Sequence, residues 1–240
     1  MNPLTVVGSA DSSRHVGRHC EARANRRREK IASVPIYRDH IYPRLVSSVG
    51  NPKPIRTLRR GLVPLAAGTV LEIGVGAGAN LPFYDPERVT LLYALEPNPG
   101  MRRLAATEQR QVGLQVEFID LPGERLPLED ASVDTVVSTF TLCTIANLTD
   151  ALRGIKRVLK PGGRVLFLEL SAAADPGVRR WQRLWEPIHH RLFEGLYLTR
   201  DIPQLLQQAG FQPQAVESVW LTPFPKSWAH CCTGTAIAGG

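Results

Sequence analysis

The sequence predicts an α/β fold: a seven-stranded, mostly parallel sheet with helices on both faces and a C-terminal antiparallel strand pair. Three observations lead there. Short apolar runs alternate with amphipathic stretches from residue 68 onward, the pattern of strands joined by helical crossovers. The first run leads straight into a glycine-rich loop, "VLEIGVGAGAN". The end of the chain loses its helical stretches and alternates loosely, as antiparallel strands do.

The elements follow in order. "TVLEIGV" is a short apolar run closed by glycines, so a buried strand, and the loop after it is expected to enter a helix. "VTLLYALEP" is a second strand, ended by Pro97, and "NPGMRRLAATEQR" is a helix. "LQVEFIDL" and "SVDTVVSTF" are the third and fourth strands. "TDALRGIKRVLK" is an amphipathic helix stopped at "PGG", and "RVLFLEL" is the fifth strand. An aromatic, His-rich insert covers residues 172–199, after which "RDIPQLLQQAGF" reads as a helix closed by Gly210, with Arg200 and Asp201 at its start. "QAVESVWL" and "SWAHCCTGTAIA" supply the terminal pair. Upstream, "IYRDHIYPRLVSSV" and "NPKPIRTLRRGLVPLA" are helical, the first broken at Pro43.

The 240 residues suit one domain over 34–240, divided into N-terminal helices at 34–67, a sheet core at 68–170 and an insert with terminal strands at 171–240. Residues 1–33 lack apolar periodicity and are read as a disordered, basic extension. The net charge of +7 is concentrated at that end, in "EARANRRREK". Such a patch suits weak contact with anionic lipid or nucleic acid, or simply a solvated tail. Four irregularly spaced cysteines give neither a disulfide framework nor metal-ligand spacing, and no metal is expected. The reading is a cytoplasmic protein, peripheral to membrane if the basic end docks there.

The glycine loop carries the chemistry. Gly74, Gly76 and Gly78 let a ligand rest against bare backbone at the carboxyl edge of the sheet. Gly74, Gly76 and Ala79 also satisfy the dinucleotide pattern G-x-G-x-x-G/A, so a nicotinamide dehydrogenase has to be weighed. A pyrophosphate wants a helix N-terminus without a competing carboxylate. Glu72 stands two residues before the first glycine. It favours a cationic ligand, and S-adenosylmethionine carries both a sulfonium and an ammonium. Glu96, at the end of the second strand, can accept hydrogen bonds from ribose hydroxyls, and Pro97 offers a flat face to a base. A ligand-free loop and a non-catalytic RNA-binding module are the blander readings.

Together "VLEIGVGAGAN", "ALEPNPGM", "GERLPLEDASVDTVVSTFTLC" and "RVLKPGGRVLFLE" resemble the class I S-adenosylmethionine-dependent methyltransferases, whose fold is Rossmann-like. "GANLPFY", "STFTLCTI", the Trp-rich insert, "GLYLTRD" and the upstream "YRDHIYPRL" are similar to the methyltransferase-like 7 group, which includes alkyl-thiol S-methyltransferases. The resemblance implies that Glu72, Gly74, Gly76, Gly78 and Asn80 line the methionine part of S-adenosyl-L-methionine, that Glu96 and Pro97 meet its nucleoside, that Gly123 and Glu124 border the adenine, and that Thr139 faces the sulfur. Pro122 stands where many relatives place an adenine-binding Asp, leaving that role to backbone or Asp120. Leu170 and Leu196 replace the group's His and Cys, so neither absent residue takes part here.

The acceptor is expected to be a small apolar molecule, first a thiol, with an amine or lipid headgroup as the alternative. Trp181 and Trp185, one helical turn apart, and Tyr197 are candidates for its wall, with Tyr37 and Tyr42 closing over the cofactor. His189 and His190 are candidate bases, and Cys143 is read as a core residue, because direct methyl transfer needs no covalent enzyme intermediate.

Overall fold

A computed structural model describes residues 51–193 and 195–239, together with Pro43. Tyr37, Tyr42, the basic extension and most of the first upstream helix lie outside the described residues. From residue 51 onward the first element is helix α1, Lys53–Leu62, followed by a 3-10 turn at Val63–Leu65. Then come β1 (Gly68–Ile73), β2 (Val89–Leu95), α2 (Pro99–Gln109), β3 (Val116–Ile119), β4 (Val133–Thr139), α3 (Leu148–Val158) and β5 (Leu159–Leu170). The insert forms α4, Pro176–Leu192, and α5 is Ile202–Gln208. Strand β6 (Phe211–Trp220), a single turn α6 (Lys226–Ala229) and β7 (His230–Ala238) complete the chain.

The seven strands form one sheet in the order β3-β2-β1-β4-β5-β7-β6. All neighbours pair in parallel up to β5, and β7 runs antiparallel between β5 and β6. The central strands are buried on both faces, which is why they read as unbroken apolar runs. Leu71, Ile73, Val136 and Phe167 pack with Leu152 and Ile155 of α3 on one side. Val70, Leu92, Val137 and Leu166 pack with Ile55 and Leu62 of α1 on the other. Each such side chain contributes roughly 1.5–3 kcal/mol by leaving water.

Helix starts follow local chemistry. Asn98 accepts from the amides of Gly100 and Met101 at 2.8 and 3.2 Å, Asn147 caps α3 through Asp150, and Asp201 caps α5 through Gln204. One expectation fails. After β1 the chain makes turns and a 3-10 segment at Leu81–Phe83 instead of an α-helix. Gly74, Gly76 and Gly78 all have positive φ, and left-handed residues at alternate positions cannot begin a right-handed helix. The fifth strand is also longer than expected, since β5 starts at Leu159 beside Val133, and Gly162, at φ 75°, lies within it rather than ahead of it. No helix among the described residues is long and apolar enough to cross a membrane.

Candidate active site

Strand order reverses between β1 and β4, and the carboxyl ends of these strands open a crevice where ligands of such sheets bind. Here the crevice is a cavity of about 1010 Å³. Gly74, Gly76, Gly78, Glu96, Pro97, Gly123, Glu124 and Thr139 all border it.

The loop after β1 is shaped by three different needs. A Cβ on Gly74 would collide with the Thr141 side chain at 2.3 Å. One on Gly78 would press on Leu81 and on the Ala105 backbone of α2. At Gly76 a Cβ would meet nothing nearer than 3.9 Å, so this glycine keeps cavity space open. Glu96 fastens the loop from across the crevice, one oxygen accepting from the Gly76 amide at 3.0 Å and the other from the Asn98 amide at 2.8 Å.

Glu72 and Asn80 stand behind this cradle, buried and not on the cavity wall. Glu72 accepts from the Tyr84 hydroxyl at 2.7 Å and from the Asn80 amide at 2.8 Å. Burial raises its pKa to about 7, against the pull of those two bonds and of Arg59. Its carboxylate is thus committed to Asn80 and Tyr84 rather than to the cavity wall.

Arg59 of α1 was not singled out by sequence. Its guanidinium donates to Asn80 and, at 2.8 Å, to Thr139, and stands 5.7 Å from the centre of the Phe140 ring. It is only 6% exposed, borders the cavity, and its Nε has no hydrogen-bond partner among the described residues. The signal was present: Ile55, Arg59 and Leu62 share one helix face, and a cation on a buried face needs an anionic partner. Glu72 and Glu169 act on that charge from within the fold, and a carboxylate in the cavity would add to them.

Glu169, at the end of β5, is the second residue missed. Fully buried, it accepts from the Ser138 hydroxyl at 2.7 Å and from the amides of Thr141, Leu142 and Cys143 at 3.1–3.2 Å. It thereby holds the turn after β4, where Phe140 takes φ 56° and borders the cavity. A lone acid in "FLEL" was its trace. Cys143 is buried in this turn, and burial, reinforced by Glu169, pushes its thiol pKa well up, which suits packing and not nucleophilic attack.

Asp120 does not border the cavity; it forms an ion pair with Arg102, whose guanidinium also donates to the Glu96 carbonyl at 2.7 Å.

The insert is arranged differently from expectation. Trp181 and Trp185 are 56% and 40% exposed and are not on the cavity wall. The reason is that α4 is anchored by polar side chains. Gln182 bonds the Ser171 carbonyl and the Ala173 amide, and Glu186 accepts from Leu198 and Thr199. The inward face thus carries Gln182, Glu186 and His189, and the tryptophans turn outward with Leu184, Ile188 and Leu192. Tyr197 also misses the cavity; it packs against His190 and under the Arg200 guanidinium, 3.8 Å away. Of the two histidines, His189 borders the cavity and His190 does not. The far wall comes instead from Leu170, Phe193, Leu196, Phe224 and Trp228, with Phe140 beside them.

The site thus joins a glycine cradle without a helix behind it, a carboxylate at the end of β2, and a buried cation at the cavity border. The first feature gives a pyrophosphate no helix dipole, and the third suits a ligand that carries a carboxylate. Residues 71–167 match the family described as methyltransferase domain. Human thiol S-methyltransferase TMT1B is 37% identical over 170 residues, covering 68% of this chain and 67% of that protein. The chain belongs to the S-adenosylmethionine-dependent methyltransferases. Demethylmenaquinone methyltransferase of Clavibacter sepedonicus is 31% identical over 58% of this chain. The chain spans 65% of the first curated relatives and 56% of the Clavibacter protein. A solved methyltransferase from Thermotoga maritima superposes with a TM-score of 0.58 at 20% identity, covering 84% of this chain and 99% of that one, which shows the fold.

These residues fit S-adenosyl-L-methionine. Arg59 would meet its carboxylate, the Gly74–Gly78 backbone its methionine chain, Glu96 its ribose hydroxyls, and Pro97, Gly123 and Glu124 its adenine.

Proposed function

We propose that the protein methylates a small apolar thiol. The observation that carries this reading is the far wall of the cavity, built from Phe140, Leu170, Phe193, Leu196, Phe224 and Trp228. When bound, the cofactor supplies a methyl group on a sulfonium, already activated for in-line displacement. The chain's task is then to hold the acceptor in line and keep water out, and well-oriented reactants gain roughly 7–11 kcal/mol in this way. Thr139, at the end of β4, borders the cavity, and its hydroxyl is fixed by bonds from Arg59 and Asn80. A thiol suits such a wall because sulfur is weakly hydrated and loses its proton near a reference pKa of about 8.5. Likeness to the human thiol enzyme supports the same class. C-methylation of a quinol-type ring is a second reading, favoured by the likeness to the demethylmenaquinone enzyme.

The test uses methyl-labelled cofactor with alkyl thiols, small amines, phosphatidylethanolamine vesicles and a demethylquinol offered separately. Label in the thiols, at least tenfold above the other acceptors, is the expected result. Label confined to an amine, lipid or quinol product would replace the thiol assignment.

A further inference from the structure

We propose that Nε2 of His189 is the base that takes the proton from the acceptor. The inference rests on the thiol reading above and names the residue that acts within it. His189 Nδ1 lies 3.0 Å from the Trp185 carbonyl oxygen, one turn back on α4. A carbonyl only accepts, so Nδ1 carries the hydrogen and the lone pair of the neutral ring is on Nε2. The ring itself is fixed. It stacks on Phe193 with centroids 5.9 Å apart and meets Trp228 edge-on at 4.8 Å, and both partners belong to the apolar wall. His189 is 5% exposed and borders the cavity, so the ring is kept from bulk water at the apolar wall.

The competing groups are placed elsewhere. Both Glu96 oxygens are engaged by backbone amides, Glu124 accepts from the Asn147 amide, and Glu108 lies beside Gly78 at the glycine loop. His190 packs on Tyr197, and His230 bonds the Ser171 carbonyl at 2.9 Å; neither borders the cavity. Among the described residues, His189 is therefore the imidazole that the fold brings to the apolar end.

In the step, the acceptor S–H bond breaks and its proton passes to Nε2. The sulfur electron pair forms the new S–CH3 bond while the C–S bond of the sulfonium breaks, leaving a neutral thioether. The imidazolium then returns its proton to water, so the net products are the methyl thioether, S-adenosylhomocysteine and one proton.

Two variants test this. His189→Asn keeps an N–H for the Trp185 carbonyl, and His189→Phe keeps the ring packing; neither has a base. Unchanged S-adenosylhomocysteine affinity shows that each is folded. With an alkyl thiol, kcat/KM should fall at least 100-fold in both, in the range general bases contribute. With a thiophenol already ionised at the assay pH it should fall less than tenfold. Independently of turnover, the alkyl thiol bound to wild-type protein with S-adenosylhomocysteine should show the ultraviolet absorption of a thiolate, and both variants should lack it. Equal losses on the two thiols, or a thiolate band that survives substitution, would overturn the assignment. If the wild type methylates no thiol, the thiol reading fails by itself. The variants are then compared on the acceptor that is methylated, where a loss independent of acceptor acidity would overturn the role of His189.

Discussion

At Glu72 the balance of burial against hydrogen bonding has a measurable sign. Its folded pKa, about 7, lies above an unfolded value near 4.5. The folded chain thus holds a proton that the unfolded chain gives up. Stability from this group is full below about pH 4.5 and is lost as pH rises towards 7, in total about 3 kcal/mol from a shift of this size. Glu72→Gln keeps both hydrogen-bond positions and should remove that slope, read by urea unfolding at pH 5 and pH 8. An unchanged slope would place the titrating group elsewhere. Sequence made Glu72 conspicuous but did not show that it lies buried behind the cavity wall, because one-dimensional spacing cannot tell a wall residue from one behind the wall. Arg59 shows the converse. Its position on an apolar stripe was legible, but its partners, Asn80 and Thr139, come from distant strands and only folding brings them together.

Among the elements, the insert helix departed most from expectation. An i, i+4 tryptophan pair normally marks the buried face, and here Gln182 and Glu186 take that face by bonding backbone groups that would otherwise be buried unpaired. The sequence shows the polar residues but not the amides waiting for them. The consequence divides the tryptophans. Trp228→Ala removes part of the apolar wall and should raise KM for an alkyl thiol about tenfold or more. Trp181→Ala, on the outward face, should leave KM and kcat within about twofold, and a loss matching that of Trp228→Ala would mean α4 is turned differently. The strands and capped helices were legible because periodicity and caps are local. The 3-10 turn after β1 was not, since the glycine pattern that serves a helix N-terminus in other folds does not itself report the sign of φ.

For the whole molecule, the sheet order brings the ends of β1, β2, β4 and β5 to one edge, with α1 and α4 closing over it. A ligand that engages Arg59, the glycine loop and Glu96 ties together segments from residue 59 to residue 96 and, through Thr139, the fourth strand. Such a ligand stabilises the entire fold, by about 2.7 kcal/mol at one hundred times its Kd. S-adenosylmethionine should therefore raise Tm by several degrees, and NADH should not. Glu96→Ala or Arg59→Met should each weaken cofactor binding more than tenfold by calorimetry and shrink that rise. A full shift in both variants would refute the site.

The missing helix behind the glycine loop bears on which adenosine ligands the loop accepts. Nucleotides that share the adenosine half of the cofactor end in phosphates. At this loop a phosphate finds no helix dipole, and the Glu96 carboxylate beside the Gly76 amide opposes its charge. The loop should therefore favour an adenosine ligand without phosphates, and ATP should displace bound S-adenosylmethionine poorly in a competition titration.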